Sequence, residues 1–109
     1  MNFNEYQKQC LTTANYPAIG HKCIYPALGL SNEAGEVLGK IKKVFRDDAG
    51  LFSDQKLAAL SDEIGDVLWY CATLSHELGF TLEDVAKKNI DKLQKRKDRN
   101  TIHGDGDYR

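Results

Sequence analysis

Apolar residues along the chain recur mostly at three- and four-residue spacing, which predicts helices rather than strands. Tyr6, Cys10, Leu11 and Ala14 give the first segment one apolar side. Its start is expected at Asn4, with Gln7 placed to complete a capping box. "NYPAIGHKCIYP" interrupts the pattern, and Pro26 suits the first turn of a second helix, where a missing N–H costs nothing. Leu30, Ala34, Val37, Leu38, Ile41, Val44 and Phe45 then keep helical spacing up to the polar, glycine-containing "RDDAGLF". Ser53 can cap a third helix carrying Leu57, Leu60, Ile64, Val67, Leu68, Cys71, Leu74 and Leu78, and Gly79 is placed to end it. Thr81 and Asp84 form an acidic variant of the capping box, and Phe80 and Val85 are spaced as a hydrophobic staple. The fourth helix they open continues through Leu82, Ala86, Ile90 and Leu93 to about Arg96. The pattern predicts an all-α, four-helix bundle-like single domain over residues 1–109. Residues from about 98 to 109 form a tail that is mobile unless something holds it. The apolar stripes of helices two and three are broad, which leaves room for a partner chain.

Composition narrows the class. A chain of 109 residues holds one modest core, and 41% apolar with 28% charged residues suits a globular protein. The net charge of −1 argues against a nucleic-acid binder, and the basic run Lys92–Arg99 has no interleaved aromatics. No apolar run approaches the roughly 20 residues that cross a bilayer. The N-terminus lacks the basic and apolar regions of a secretory signal, so a cytoplasmic protein is expected, with no membrane partner. Cys10, Cys23 and Cys71 are an odd number without CxxC spacing, which disfavours zinc or a disulfide framework.

Two stretches nearly repeat each other: "LSNEAGEVL" (30–38) and "LSDEIGDVL" (60–68) share six of nine residues. Taking Glu33 as 0°, the apolar residues of helix two fall between roughly 20° and 140°, and Glu36 falls near about −60°. Glu63 and Asp66 take the same places on helix three. Both acidic pairs therefore edge an apolar stripe, and four carboxylates converge if the stripes share a core. Two unit charges about 4–5 Å apart repel by roughly 3–4 kcal/mol at an effective dielectric near 20. Protonation, splaying or a bound cation must relieve that repulsion. One ExxE on a helix is ordinarily a solvated pair; a second copy in the same frame points to a metal site. With only oxygen donors, Mg²⁺ fits, with Mn²⁺ as a possible substitute. A di-iron bundle would need Glu-x-x-His pairs, which are absent. Gly35 and Gly65, between the acids, suggest close helix approach or a site, since each costs about 1 kcal/mol against Ala.

On helix four, Asn89, Lys92 and Arg96 border the apolar stripe, and the two cations at i,i+4 suit phosphate oxygens. The same residues would also serve as a cation-rich C-terminus complementing the helix dipole. Lys40 continues the acidic edge of helix two and is a further candidate for a phosphate contact.

These motifs resemble those of MazG-like nucleotide pyrophosphohydrolases, in which ExxE is followed by ExxD. Here they are "EAGE" (33–36) and "EIGD" (63–66), with 26 residues between. Asn89, Lys92 and Arg96 match an NxxKLxxR pattern, and "GDGDYR" resembles the tail of compact, phage- or mobile-element-type members. Many members carry Glu where this chain has Asn32. The resemblance implies Mg²⁺-dependent cleavage of (d)NTP to (d)NMP and pyrophosphate, in nucleotide-pool housecleaning. It also implies a homodimer or homotetramer in which two chains build each site. Glu33, Glu36, Glu63 and Asp66 would then be metal ligands and catalytic groups, and Asn89, Lys92 and Arg96 substrate contacts. Arg109 in the tail could close over the phosphates. Rival expectations are a related enzyme for phosphoribosyl-ATP or one pyrimidine dNTP, and a non-enzymatic helical interaction module.

Overall fold

The computed structural model describes residues 1–107 and 109. Four helices follow one another: α1 (Phe3–Leu11), α2 (Ile24–Asp47), α3 (Asp54–Glu77) and α4 (Leu82–Asp98), with no strand among the described residues. The all-α expectation holds. No helix is long and apolar enough to cross a membrane among those residues.

Helix boundaries follow local chemistry. Ser53 and Thr81 cap α3 and α4 through their hydroxyls, which accept from Lys56 N–H at 3.2 Å and Asp84 N–H at 3.1 Å. At the end of α3, Gly79 has φ +85°, its N–H donates to His76 O, and Phe80 N–H donates to Ser75 O. That is a Schellman turn. The end of α4 repeats it with Asn100 (φ +59°): Asn100 N–H donates to Lys97 O and Thr101 N–H to Arg96 O. The start of α1 differs from expectation. Asn2, not Asn4, is the cap, accepting from Glu5 N–H at 2.8 Å. Gln7 plays no part in a capping box. It is buried, donates to Ala72 O and Phe80 O, and accepts from Leu82 N–H. A capping side chain and a buried bracket look alike in sequence, because both are polar residues early in a helix.

The helices do not close around one shared core. α1 and α4 pack on α3 and on each other, around Cys10, Ala72 and Leu82. Of the other helices, α2 packs on α3 alone. The long hairpin α2–α3 therefore projects, with Val44 and Leu60 buried between its arms. Much of both apolar stripes is uncovered: Leu38 is 69% exposed, Ile64 58% and Phe45 64%.

Candidate metal and phosphate site

The hairpin arms run antiparallel, so residues whose numbers sum to about the same value face each other. Gly29 meets Tyr70, Glu33 meets Asp66, and Lys40 meets Glu63. The Tyr70 ring lies directly on α2 because Gly29 has no side chain there; a Cβ would collide with it. Gly35 and Gly65 do not serve that purpose. A Cβ on either would meet open space, so the expected close approach belongs to Gly29 instead.

One turn beyond Gly29, Glu33, Glu63 and Asp66 each bring a carboxylate oxygen to within 4.8 Å of the other two. Glu33 and Glu63 are half-buried and Asp66 is exposed. The Glu33 carboxyl is pushed above its usual range, first by partial loss of solvent. A hydrogen bond to Glu63 and the charges of Asp66, Glu63 and Glu36 add to that shift. Glu36 stands outside the triplet, exposed on α2. Lys40 Nζ lies 3.5 Å from Glu63 Oε1 and supplies one positive charge to the group. Three oxygen donors with a single lysine between them leave net negative charge, the condition a hard divalent cation relieves.

An aromatic cluster adjoins the acids. Tyr16 stacks on Tyr25 at 5.7 Å and 4°, while Trp69 stands edge-on to Tyr70 at 5.0 Å and to Tyr16 at 6.4 Å. Trp69 Nε1 donates to Thr13 Oγ1 at 3.0 Å, which ties the 12–23 segment to α3. The Tyr70 hydroxyl is pushed up first by burial, then by Tyr25 and Glu33. Sequence reasoning passed over Tyr70. The available signal was its i+4 position after Asp66, on the same edge of the helix.

The α4 residues sit elsewhere in the chain. Asn89 and Lys92 line an open hollow of about 330 Å³ with Phe80, Asp84, Val85 and Lys88. Arg96 is 4% exposed beneath the tail. Its Nη2 donates to Asp107 O at 2.8 Å and lies 3.4 Å from Asp107 Oδ1, while its buried Nε has no partner among the described residues. Lys92 Nζ is also 3.4 Å from Asp107 Oδ1. The charge of Lys92, then the Arg96 hydrogen bond, hold the Asp107 carboxyl below its usual range. The Arg109 guanidinium is taken up by carbonyls of the tail itself: Thr101, Ile102 and Gly106. Since α4 makes no contact with α2, the cations and Glu33 are not brought together within one chain.

The family model of the MazG nucleotide pyrophosphohydrolase domain matches residues 25–100, which take in both acidic motifs and α4. The chain belongs to the MazG family. It is 40% identical to "Gene 37 protein" of Mycobacterium phage L5 over 114 residues, covering all of both chains. That name states no activity. No solved structure matches.

Proposed function

We propose that this MazG-family chain is a divalent-metal-dependent nucleoside triphosphate pyrophosphohydrolase, converting (d)NTP to (d)NMP and pyrophosphate. The observation that carries it is the triplet Glu33, Glu63 and Asp66, drawn from both motifs and closed to within 4.8 Å. Its all-oxygen donor set, half-buried at Glu33 and Glu63, fits Mg²⁺ or Mn²⁺. Such an ion would supply neutralisation of the triphosphate and polarisation of its phosphoryl oxygens.

The chain's own residues account for the rest. Water attacks the α-phosphorus, a new P–O bond forms, and the bond to the β-phosphate's bridging oxygen breaks. Glu36, on the same edge but outside the triplet, is free to accept the proton from that water. Lys40, already on Glu63, offsets charge on the phosphates. Lys92 and Arg96 hold a carboxylate at 3.4 Å, which supports their suitability for an anion; a phosphate there would replace Asp107.

Those α4 cations and Asn89 serve the acids of a second chain in this reading. Two quantities support a homo-oligomer. The radius of gyration is 16.8 Å, against about 13 Å for a compact domain of this length. The exposed surface is 7951 Å², where a folded monomer of this mass shows about 6,100 Å². The surplus, roughly 1,850 Å², exceeds the roughly 800 Å² that a standard interface takes from each partner and falls in the range of a large obligate homodimer.

Paired substitutions test the roles. Glu63→Gln should abolish turnover and weaken Mn²⁺ binding, measured by titration without nucleotide. Glu36→Gln should cut kcat by about 10²-fold or more with Mn²⁺ binding retained. Equal loss of metal binding in both would remove Glu36 from the role of base.

A further inference from the structure

Beyond the acids, the cleft between α2 and α3 opens into a cavity of about 300 Å³. Its rim carries Lys40, Lys43, Gln55 and Lys56, and its floor is the apolar pair Val44 and Leu60, both buried. Lys40 belongs to both places, since its Nζ reaches Glu63 at 3.5 Å while its stem lines the cavity. Lys43 and Lys56 make no ion pair among the described residues. Asp47, whose charge acts on both lysines, is already held through both oxygens by Arg46 at 2.7 and 2.8 Å. Its carboxyl is held low by that hydrogen bond first, with smaller contributions from Arg46's charge, Lys56 and Lys43.

Resting on the pyrophosphohydrolase reading above, we propose that this lysine-rimmed cavity receives the two terminal phosphates of the substrate and holds pyrophosphate after cleavage.

Charge and order along the cleft carry the assignment. The Tyr70 ring, the acidic triplet and the lysine cavity follow one another down the same pair of helices. Lys40 lies seven residues past Glu33 on α2, and Lys56 seven residues before Glu63 on α3, each about 10 Å along its axis. Lys40 covers part of that interval, since its Nζ reaches Glu63 at 3.5 Å. A ligand spanning both places must suit a divalent cation at one end and several ammonium groups at the other. A linear polyphosphate meets both demands; a nucleoside monophosphate would leave the lysines unmatched. Lys56 also occupies the first turn of α3, where the helix dipole favours an anion, although Ser53 already takes the Lys56 N–H and Asp54 adds a negative charge to the same turn. The buried apolar floor lowers the local dielectric, which strengthens each lysine's attraction for phosphate.

The test uses the full-length chain and the double variant Lys43→Gln/Lys56→Gln, with circular dichroism confirming equal helix content. Inorganic pyrophosphate, with Mg²⁺ present, is titrated calorimetrically and used as a product inhibitor. The proposal expects the double variant to weaken pyrophosphate binding and raise its inhibition constant about ten-fold or more. Lys43→Arg/Lys56→Arg should restore most of the binding, and Mn²⁺ titration without nucleotide should be unchanged throughout. Turnover to monophosphate and pyrophosphate, with inhibition the same in variant and wild type, would overturn the cavity's role and leave the enzyme reading standing. A wild type that hydrolyses no nucleotide, yet binds pyrophosphate through these lysines, would retain the anion site and remove the enzyme reading. Absence of pyrophosphate binding to the wild type would also overturn the proposal.

Discussion

Glu33 carries the sharpest consequence of single-residue chemistry. Its folded-state carboxyl is pushed above the ordinary value of 4.5 by lost solvent and by neighbouring acids. A raised carboxyl contributes stability that is fully present below the unfolded value and is lost as pH rises through the folded one. The metal-free protein therefore carries a penalty at neutral pH that proton binding relieves. Glu33→Gln should raise the melting temperature of the metal-free protein at pH 7, and the gain should vanish below about pH 4.5. Thermal melts in chelator across that range check it; a variant less stable than wild type at pH 7 would show that Glu33 is stabilising as an anion. Excess Mg²⁺ should reverse the order at pH 7, because the wild type gains binding energy that the variant forgoes. Residue types and spacing pointed to four converging acids, since the same edge position recurs on two helices; three of them meet, and Glu36 stands apart. The burial that separates Glu33 from exposed Glu36 was not legible, because it depends on how the two arms rotate against each other.

At the scale of elements, the chain's punctuation was readable where it is purely local. Ser53, Thr81 and Gly79 act as caps through contacts within a few residues, and each does what its residue type predicts. Gln7 failed that reading because its partners lie 65 to 75 residues away. It brackets α1 to the turn between α3 and α4, meeting a carbonyl in α3, a carbonyl in the turn and the first N–H of α4. Gln7→Ala leaves these backbone groups without their partner inside the core, so about 2–4 kcal/mol of stability should be lost. Urea unfolding reads that directly, and a loss under about 0.5 kcal/mol would show that water replaces the side chain without cost. Gly29 was equally invisible. Its neighbours in sequence say nothing of the Tyr70 ring that crosses it, whereas Gly35 and Gly65 stood out only for lying inside the motifs.

The whole molecule is more open than four periodic helices suggest. Broad apolar stripes were apparent along helices two and three, and they anticipated a surface with nothing of its own chain upon it. That α3 is the one helix on which α2 packs was not readable, since connection lengths alone allow a closed bundle. The tail was legible as aperiodic, but not the grip of Arg96 and Lys92 on Asp107. If the acids of one chain work with the α4 cations of another, two inactive variants should rescue each other. Glu63→Gln and Lys92→Ala chains, each inactive alone, should recover about a quarter of wild-type turnover when co-expressed as a dimer. Recovery of none, with mixed dimers verified by mass, would place acids and cations in separate roles.

The activity itself is tested most directly by its products. The full chain is incubated with each NTP and dNTP and with Mg²⁺, and the products are separated by anion-exchange chromatography. Nucleoside monophosphate and pyrophosphate are expected in equal amounts from at least one triphosphate, and neither product with chelator or with Glu63→Gln. Diphosphate and orthophosphate would contradict it, and so would the absence of any product from all of them.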